Sequence, residues 1–477
     1  MPTPDSESTL PPHLQDRLRR AGVAPERWLV CQAQEQAHYI AHNPRSAKAA
    51  KAAAQHLMFG VPLHWMNDWS TPFPLVVSHA QGAHLTDLDG HERIDFCLGD
   101  TGAMFGHSPA PVVAALAQQA QKGLTTMLMN EDAIAVGALL AERFGLPQWQ
   151  FAMTASDANR FVLRWVRAAT QRPVVVVFNG CYHGTVDDAL VDSVRGVTVT
   201  RASLLGQVQD LSLTTRVVEF NDLAGLEAAL AVGDVACVLA EPVMTNIGMV
   251  LPQTHYWEQA IPLIHQYGSL LVLDETHTIS TGPGGYARAH GLQPDALVVG
   301  KPLGGGMPCA AYGMSAALAE QAQKAKREAP PGHSGIGTTL TANALAMAAM
   351  RATLQDCMTP ATHAPMLKGA TALAEGLRDL VSRFALPWCV TQVGARVELQ
   401  FCPTPPRNGQ EAEQILQPEL EQVMHLYLLN RGVLITPFHN MMLVSPATTM
   451  ADVQQLLELV QDFVRQVLSP HQMPPAQ

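Results

Sequence analysis

Hydrophobic residues in the middle of the chain come in short unbroken runs rather than in alternation with polar ones. The runs are "WQFAMTA" from Trp149, "PVVVVFNG" from Pro173, "DVACVLAEP" from Asp234, "SLLVLDE" from Ser269 and "DALVVGK" from Asp295. A strand with one wet face alternates, so continuous apolar runs of this length predict strands covered on both faces. Helical stretches lie between them. The pattern predicts an α/β architecture, with a parallel or mixed sheet between helix layers, over residues 81–355. Residues 1–80 read differently: polar helices, the Ala-rich "SAKAAKAAAQH" from Ser46, then the aromatic "HWMNDWSTPFPL", which fits neither periodicity and reads as an N-terminal helical arm. Residues 356–477 carry an amphipathic helix, the strand-like "ARVELQF", the Pro-rich turn "CPTPPRNG" and a last helix after "SPATTMADV", for which Thr449 is the expected cap and Asp452 the third helical residue. That is the pattern of a second, smaller α+β domain.

Composition narrows the partners. The 477 residues are 47% hydrophobic and 15% charged, as in a large globular protein, and the net charge of -11 is carried without any basic cluster. Nucleic acid and anionic membrane surfaces are thereby disfavoured as partners, and small molecules are expected. The eight cysteines form no CxxC pair or tight cluster, so neither a disulfide framework nor a zinc site is expected. With no basic-then-apolar order at the N-terminus and no membrane-length apolar run, a cytoplasmic location is expected.

Candidate chemistry sits where the apolar runs end, because ligands of open α/β sheets lie at the carboxyl ends of strands. Those ends carry Thr154-Ala155-Ser156-Asp157, Asn179 to Gly184, Glu241, Asp274 and Lys301. Singly, such an Asp reads as a helix cap and such a Lys as a solvated end. Together they make a set: a lysine able to form a Schiff base, a carboxylate suited to a protonated ring nitrogen, a turn into a helix that suits a phosphate, and the flat face of Tyr182. Pyridoxal 5′-phosphate has a group for each.

The motifs "FNGCYHG", "EPV", "LDE", "GKPLGGGMP" and "GTTLTANALAMAA" occur together in this chain. With them the sequence resembles class III (ornithine-transaminase-like) pyridoxal-phosphate (PLP) enzymes of fold type I, in the branch of glutamate-1-semialdehyde aminomutase, from about Gly82 to Thr449. The resemblance implies Lys301 as the aldimine lysine and Asp274 as partner of the pyridine nitrogen. It implies Ala155 and Ser156 at the phosphate turn, Tyr182 stacked on the ring, Thr276 beneath its other face and Asn246 near its hydroxyl. Thr339 is expected to reach the phosphate of a neighbouring subunit, which implies a homodimer with shared active sites. His183 is expected to hydrogen-bond behind the ring; His333 and His439 are unassigned.

Departures from the family pattern bear on substrate. The usual Ser-Gly-Thr-Glu turn is Thr-Ala-Ser-Asp here, which suits phosphate provided Ala155 keeps a negative φ. An N-terminal Arg that grips substrate carboxylate in the aminomutase is replaced near His64, and an acidic residue of a C-terminal loop by Asn440. Arg396 could take over the carboxylate or form an interdomain salt bridge; His64, Trp65 and Trp69 could wall the substrate or simply pack arm against core. The expected reaction is ping-pong transamination between an amino donor and a keto-acid or aldehyde acceptor. The alternative is an aminomutase, or another PLP reaction such as elimination or racemisation; the joint presence of Lys301, Asp274 and Tyr182 argues against a non-catalytic relic.

Overall fold

The structure is a computed structural model that describes residues 10–468. At its centre lies a seven-stranded sheet built from β4 (Gln148–Ala152), β5 (Val174–Phe178), β6 (Thr215–Val218), β7 (Val235–Ala240), β8 (Leu270–Asp274), β9 (Ala296–Val299) and β10 (Ala310–Met314), in the order β4-β10-β9-β8-β7-β5-β6. All pairings are parallel except those of β10, which runs against both β9 and β4. This is the mixed, mostly parallel sheet that the apolar runs predict. The cause is visible in β5: Val174, Val176 and Phe178 enter the core on one face, Val175 and Val177 the core on the other. Every second side chain points to the opposite layer, so both layers need apolar residues and the run has no polar gap. Burying each such side chain contributes about 1.5–3 kcal/mol.

Ahead of this sheet, helices α1 (Pro12–Arg20), α2 (Pro25–His42) and α3 (Pro44–Ala53) lead to β1 (Val77–Gln81), β2 (His84–Asp87) and β3 (Glu92–Asp95). Proline opens each of the three helices, where its missing N–H costs nothing. The first helices are more than an arm: Leu14, Leu18 and Trp28 are buried in one core with Leu377, Leu456 and Phe463 of the C-terminal part. Trp388 Nε1 donates to Ala21 O at 2.7 Å across that contact.

The C-terminal part has an antiparallel sheet of β11 (Cys389–Val393), β12 (Arg396–Gln400) and β14 (Met441–Leu443); the short β13 (Val433–Leu434) instead pairs in parallel with β3, tying this part to the N-terminal sheet. The final helix, Met450–Val467, begins with Thr449 accepting from Asp452 N while the Asp452 side chain accepts from Thr449 N, a reciprocal cap. No helix among the described residues is long and apolar enough to cross a membrane.

Candidate functional site

Because β7, β8 and β9 are neighbouring parallel strands, Glu241, Asp274 and Lys301 leave the sheet at the same edge. Asp274 lies opposite Val298, and the chain runs through Val299 and Gly300 to Lys301, whose φ of 44° turns it out of the strand direction. Gly300 is required there: a Cβ would stand 2.9 Å from that of Ala155. Asp274 Oδ2 accepts from His183 Nδ1 at 3.0 Å and Asn159 Nδ2 at 2.8 Å, and Oδ1 accepts from Thr276 Oγ1 at 2.6 Å. Burial alone would raise this carboxyl, but the hydrogen bond and charge of His183 outweigh it and hold Asp274 below the usual carboxylate range. Burial likewise opposes charge on His183, and the Asp274 partnership overcomes it and holds the imidazole above its ordinary value. The result is a buried anion with a fixed orientation.

Above Asp274 opens a cavity of about 300 Å³, lined among others by Ala155, Ser156, Tyr182, Thr276, His277 and Lys301. Its far end is the N-terminus of the helix α4 (Ala155–Thr170), capped by Thr154 Oγ1, which accepts from Asp157 N at 3.1 Å. The first N–H groups of a helix have no acceptor within it, and the helix dipole is positive there. Ala155 is not among the positive-φ residues, so the substitution for glycine costs the turn nothing. Ser156 Oγ accepts from Thr185 N at 3.0 Å, and Gly184, at φ 79°, leaves it room: a Cβ there would lie 2.0 Å from the hydroxyl oxygen. An anion at one end, an amine at the edge and an open helix N-terminus at the other end match the ring nitrogen, aldehyde and phosphate of PLP. These residues fit the cofactor.

Other expected residues lie elsewhere. Asn246 donates to Glu241 Oε1 at 3.1 Å and is not part of the cavity wall. His64 and Trp65 stand exposed on a short helical turn, His64–Asn67, and do not line the cavity, while Trp69 packs against the small core cluster that contains Tyr39 and Leu85, its ring 5.3 Å from that of His425. Within one chain, the turn that carries His64 and Trp65 leaves both exposed and outside the cavity. Thr339 is exposed and away from its own chain's cavity. Asn440 is buried, at φ 42°, with Nδ2 donating to Leu399 O at 3.1 Å. Arg396 has no exposed surface; Nη2 donates to Thr101 Oγ1 at 2.7 Å and pairs with Asp100 Oδ1 at 3.3 Å. Of its two expected roles, the geometry displays the ion pair.

Sequence reasoning missed Asp100 and His277. Lys301 Nζ donates to Asp100 Oδ2 at 2.6 Å and meets His277 Nε2 at 2.6 Å. Burial and the Lys301 charge both press the His277 imidazole well below its ordinary value, which leaves it neutral and able to accept from the ammonium. A trace of Asp100 was present in "GDTG", an Asp-Thr pair between glycines, but nothing in that turn signal points to a lysine two hundred residues away.

The profile of the class-III aminotransferases matches residues 65–467. The chain belongs to the class-III aminotransferase family. Among its relatives, a glutamate-1-semialdehyde 2,1-aminomutase of Aquifex aeolicus is 30% identical over 83% of this chain and 93% of its own. A glutamate-1-semialdehyde-aminomutase structure from Pseudomonas aeruginosa PAO1 is 47% identical, covers 94% of this chain and 100% of its own, and superposes with a TM-score of 0.92; it has also been solved in complex with PMP. A β-phenylalanine aminotransferase from Variovorax paradoxus is 26% identical over 92% of this chain and 97% of its own, with a TM-score of 0.81. This class-III aminotransferase-family enzyme thus has the fold-type-I architecture and PLP as its cofactor. For reaction type, these similarities favour the one-substrate alternative over the two-substrate transamination expected from sequence.

Buried titrating groups predict how the cofactor-free enzyme responds to pH. Burial raises the carboxyls of Glu241 and Glu275 to about 7 and that of Glu398 to about 8. With these and the raised His183, the folded chain binds more protons than the unfolded one, so their stabilisation is lost as pH climbs through those values. The buried His277, His425 and His439 are shifted down, so their contribution is complete above the ordinary histidine value of 6.5 and lost only below it. From pH 6.5 to about 8, then, the carboxyls and His183 act without opposition from these buried histidines, and Tm falls. A thermal-unfolding series in which Tm rises across that window would refute these burial assignments.

Proposed function

We propose that this enzyme moves an amino group between neighbouring carbons of one small amino-aldehyde, the type of reaction named for its glutamate-1-semialdehyde aminomutase relatives. The observation that carries this reading is the 47% identity, over nearly the whole of both chains, to the Pseudomonas aeruginosa protein of that name. When bound, PLP supplies an aldehyde that takes up amino nitrogen and a ring that withdraws electrons from the substrate carbon. In this role Lys301 binds the cofactor and carries protons at Nζ, with Asp100 and His277 orienting that nitrogen. Asp274, oriented by His183 and Asn159, holds a proton on the ring nitrogen; the α4 N-terminus and Ser156 hold the phosphate; Tyr182 and Thr276 bound the ring's two faces. Exposed Thr339 is assigned to the phosphate end of a second copy's site, which makes the active unit a homodimer.

Two-substrate transamination is the second reading, favoured by one observation: no arginine lines the cavity among the described residues, and Arg396 is already engaged by Asp100. A substrate such as glutamate semialdehyde needs a partner for its carboxylate. Nitrogen tracing separates the two. Purified holoenzyme given a 15N-labelled amino-aldehyde alone should accumulate the labelled isomer over many turnovers, with no acceptor added. Label that leaves the substrate only when a keto acid is supplied, and then appears in that acid, would contradict the proposal and establish the second reading.

A further inference from the structure

Asp100 is delivered to the site by an unusual backbone. Leu98, Gly99, Asp100 and Thr101 all have positive φ, at 47°, 57°, 49° and 85°, a left-handed turn in which three residues carry side chains that disfavour it. The turn is held by its surroundings: Asp95 Oδ1 accepts from Cys97 N at 2.7 Å and Leu98 N at 2.8 Å, and Ala103 N donates to Leu98 O at 2.9 Å. It places one partly exposed carboxylate between Lys301 at the cavity edge and a buried guanidinium behind it, with Lys301 on one oxygen and the fully buried Arg396 on the other.

Arg396 is incompletely satisfied. Its Nη2 has Thr101 and a long contact to Asp100 at 3.3 Å, its Nη1 meets the thioether of Met441, a weak acceptor, and its Nε has no partner. A guanidinium is best met by a carboxylate through two parallel bonds, and here it holds one oxygen of a carboxylate whose other oxygen serves the lysine. Once Lys301 is engaged with the cofactor, Asp100 is left with Arg396 as its nearest full cation.

We propose that Asp100 is the specificity-determining residue of the substrate end: it occupies Arg396 in place of a substrate carboxylate and must be displaced before one can bind there. Asp100 thus sets the preference between substrates with and without a carboxylate. The assignment rests on the amino-group chemistry proposed above but not on which of its two forms is right, since either substrate meets the same pair.

The test is equilibrium binding of succinate, a dicarboxylate without amino or carbonyl group, to the holoenzyme by calorimetry. In Asp100→Asn, which keeps the shape but releases Arg396 from its counter-charge, succinate should bind at least about 10-fold tighter, because a charge-assisted pair no longer has to be broken first. Asp100→Ser should give the same gain should the amide itself bond to Arg396, and Asp100→Glu should restore the weak parental affinity. The gain should vanish in Asp100→Asn/Arg396→Gln. In steady state, the ratio of kcat/KM for an amino acid to that for the corresponding carboxyl-free amine should rise by a similar factor, through KM. Unchanged or weaker succinate binding in folded, cofactor-loaded Asn and Ser variants would overturn the proposal, as would a gain that survives without Arg396. Because succinate binding needs no turnover, an enzyme that fails the nitrogen-tracing test can still pass this one, and the reverse.

Discussion

Lys301→Ala should abolish turnover, with a loss of at least about four orders of magnitude, while leaving the fold intact. Two functions go together. The side chain is the amine placed at the cavity edge, and proton transfer by a positioned base contributes about 10²–10⁴-fold even apart from covalent chemistry. Nothing adjacent can replace it: Asp100 is held well below the usual carboxylate range, where the pull of the Lys301 and Arg396 cations outweighs burial, and His277 is already a neutral partner of the lysine. Stability should change little, because Lys301 is partly exposed and Asp100 retains Arg396. Single-turnover and steady-state assays with the amino substrate, alongside circular dichroism, measure both halves; a folded Lys301→Ala variant within ten-fold of the parent's rate would remove this lysine from the chemistry.

Asp274→Asn should be the next most damaging change, lowering kcat by about 10²–10³-fold. Removing one preorganised electrostatic partner of the reacting group costs about 2.7–4 kcal/mol in the barrier, and roughly 1.4 kcal/mol is a factor of ten. The amide is nearly isosteric but brings two faults. It withdraws the negative charge from the place assigned to the ring nitrogen, and it turns one acceptor oxygen into a donor group facing His183 Nδ1 and Asn159 Nδ2, both of which now donate to that carboxylate. His183 should then lose its reason to stay protonated and fall back toward a neutral imidazole. NMR titration of the His183 ring and stopped-flow rates check the two effects; a parental His183 titration together with a parental rate would contradict the placement of Asp274 as the ring-nitrogen partner.

The fold was legible because its central strands are covered on both faces. Val174 to Phe178 can be read as a strand without any tertiary information, and so can the fact that Asp274 and Lys301 end two such strands at one edge. Asp100 could not be read this way. It ends no strand, and a left-handed turn held by Asp95 and by the Ala103 N to Leu98 O bond brings it to Lys301. Arg396 was visible as a candidate, but its counter-charge was not, since the pairing joins residues 296 positions apart. The placement of His64 and Trp65 outside their own chain's cavity was not legible for a related reason: whether an aromatic segment faces core or solvent depends on which turn carries it, and a four-residue helical turn has no periodicity to read.

Lys301 is assigned as the lysine that binds PLP covalently in this cavity. Borohydride reduction of the holoenzyme followed by peptide mapping tests it most directly, because reduction makes the lysine–cofactor bond permanent and mass spectrometry then locates it. The phosphopyridoxyl mass should appear on the peptide containing Lys301, at one group per chain, and be lost in Lys301→Ala. The same mass on another lysine, with Lys301 unmodified, would contradict it.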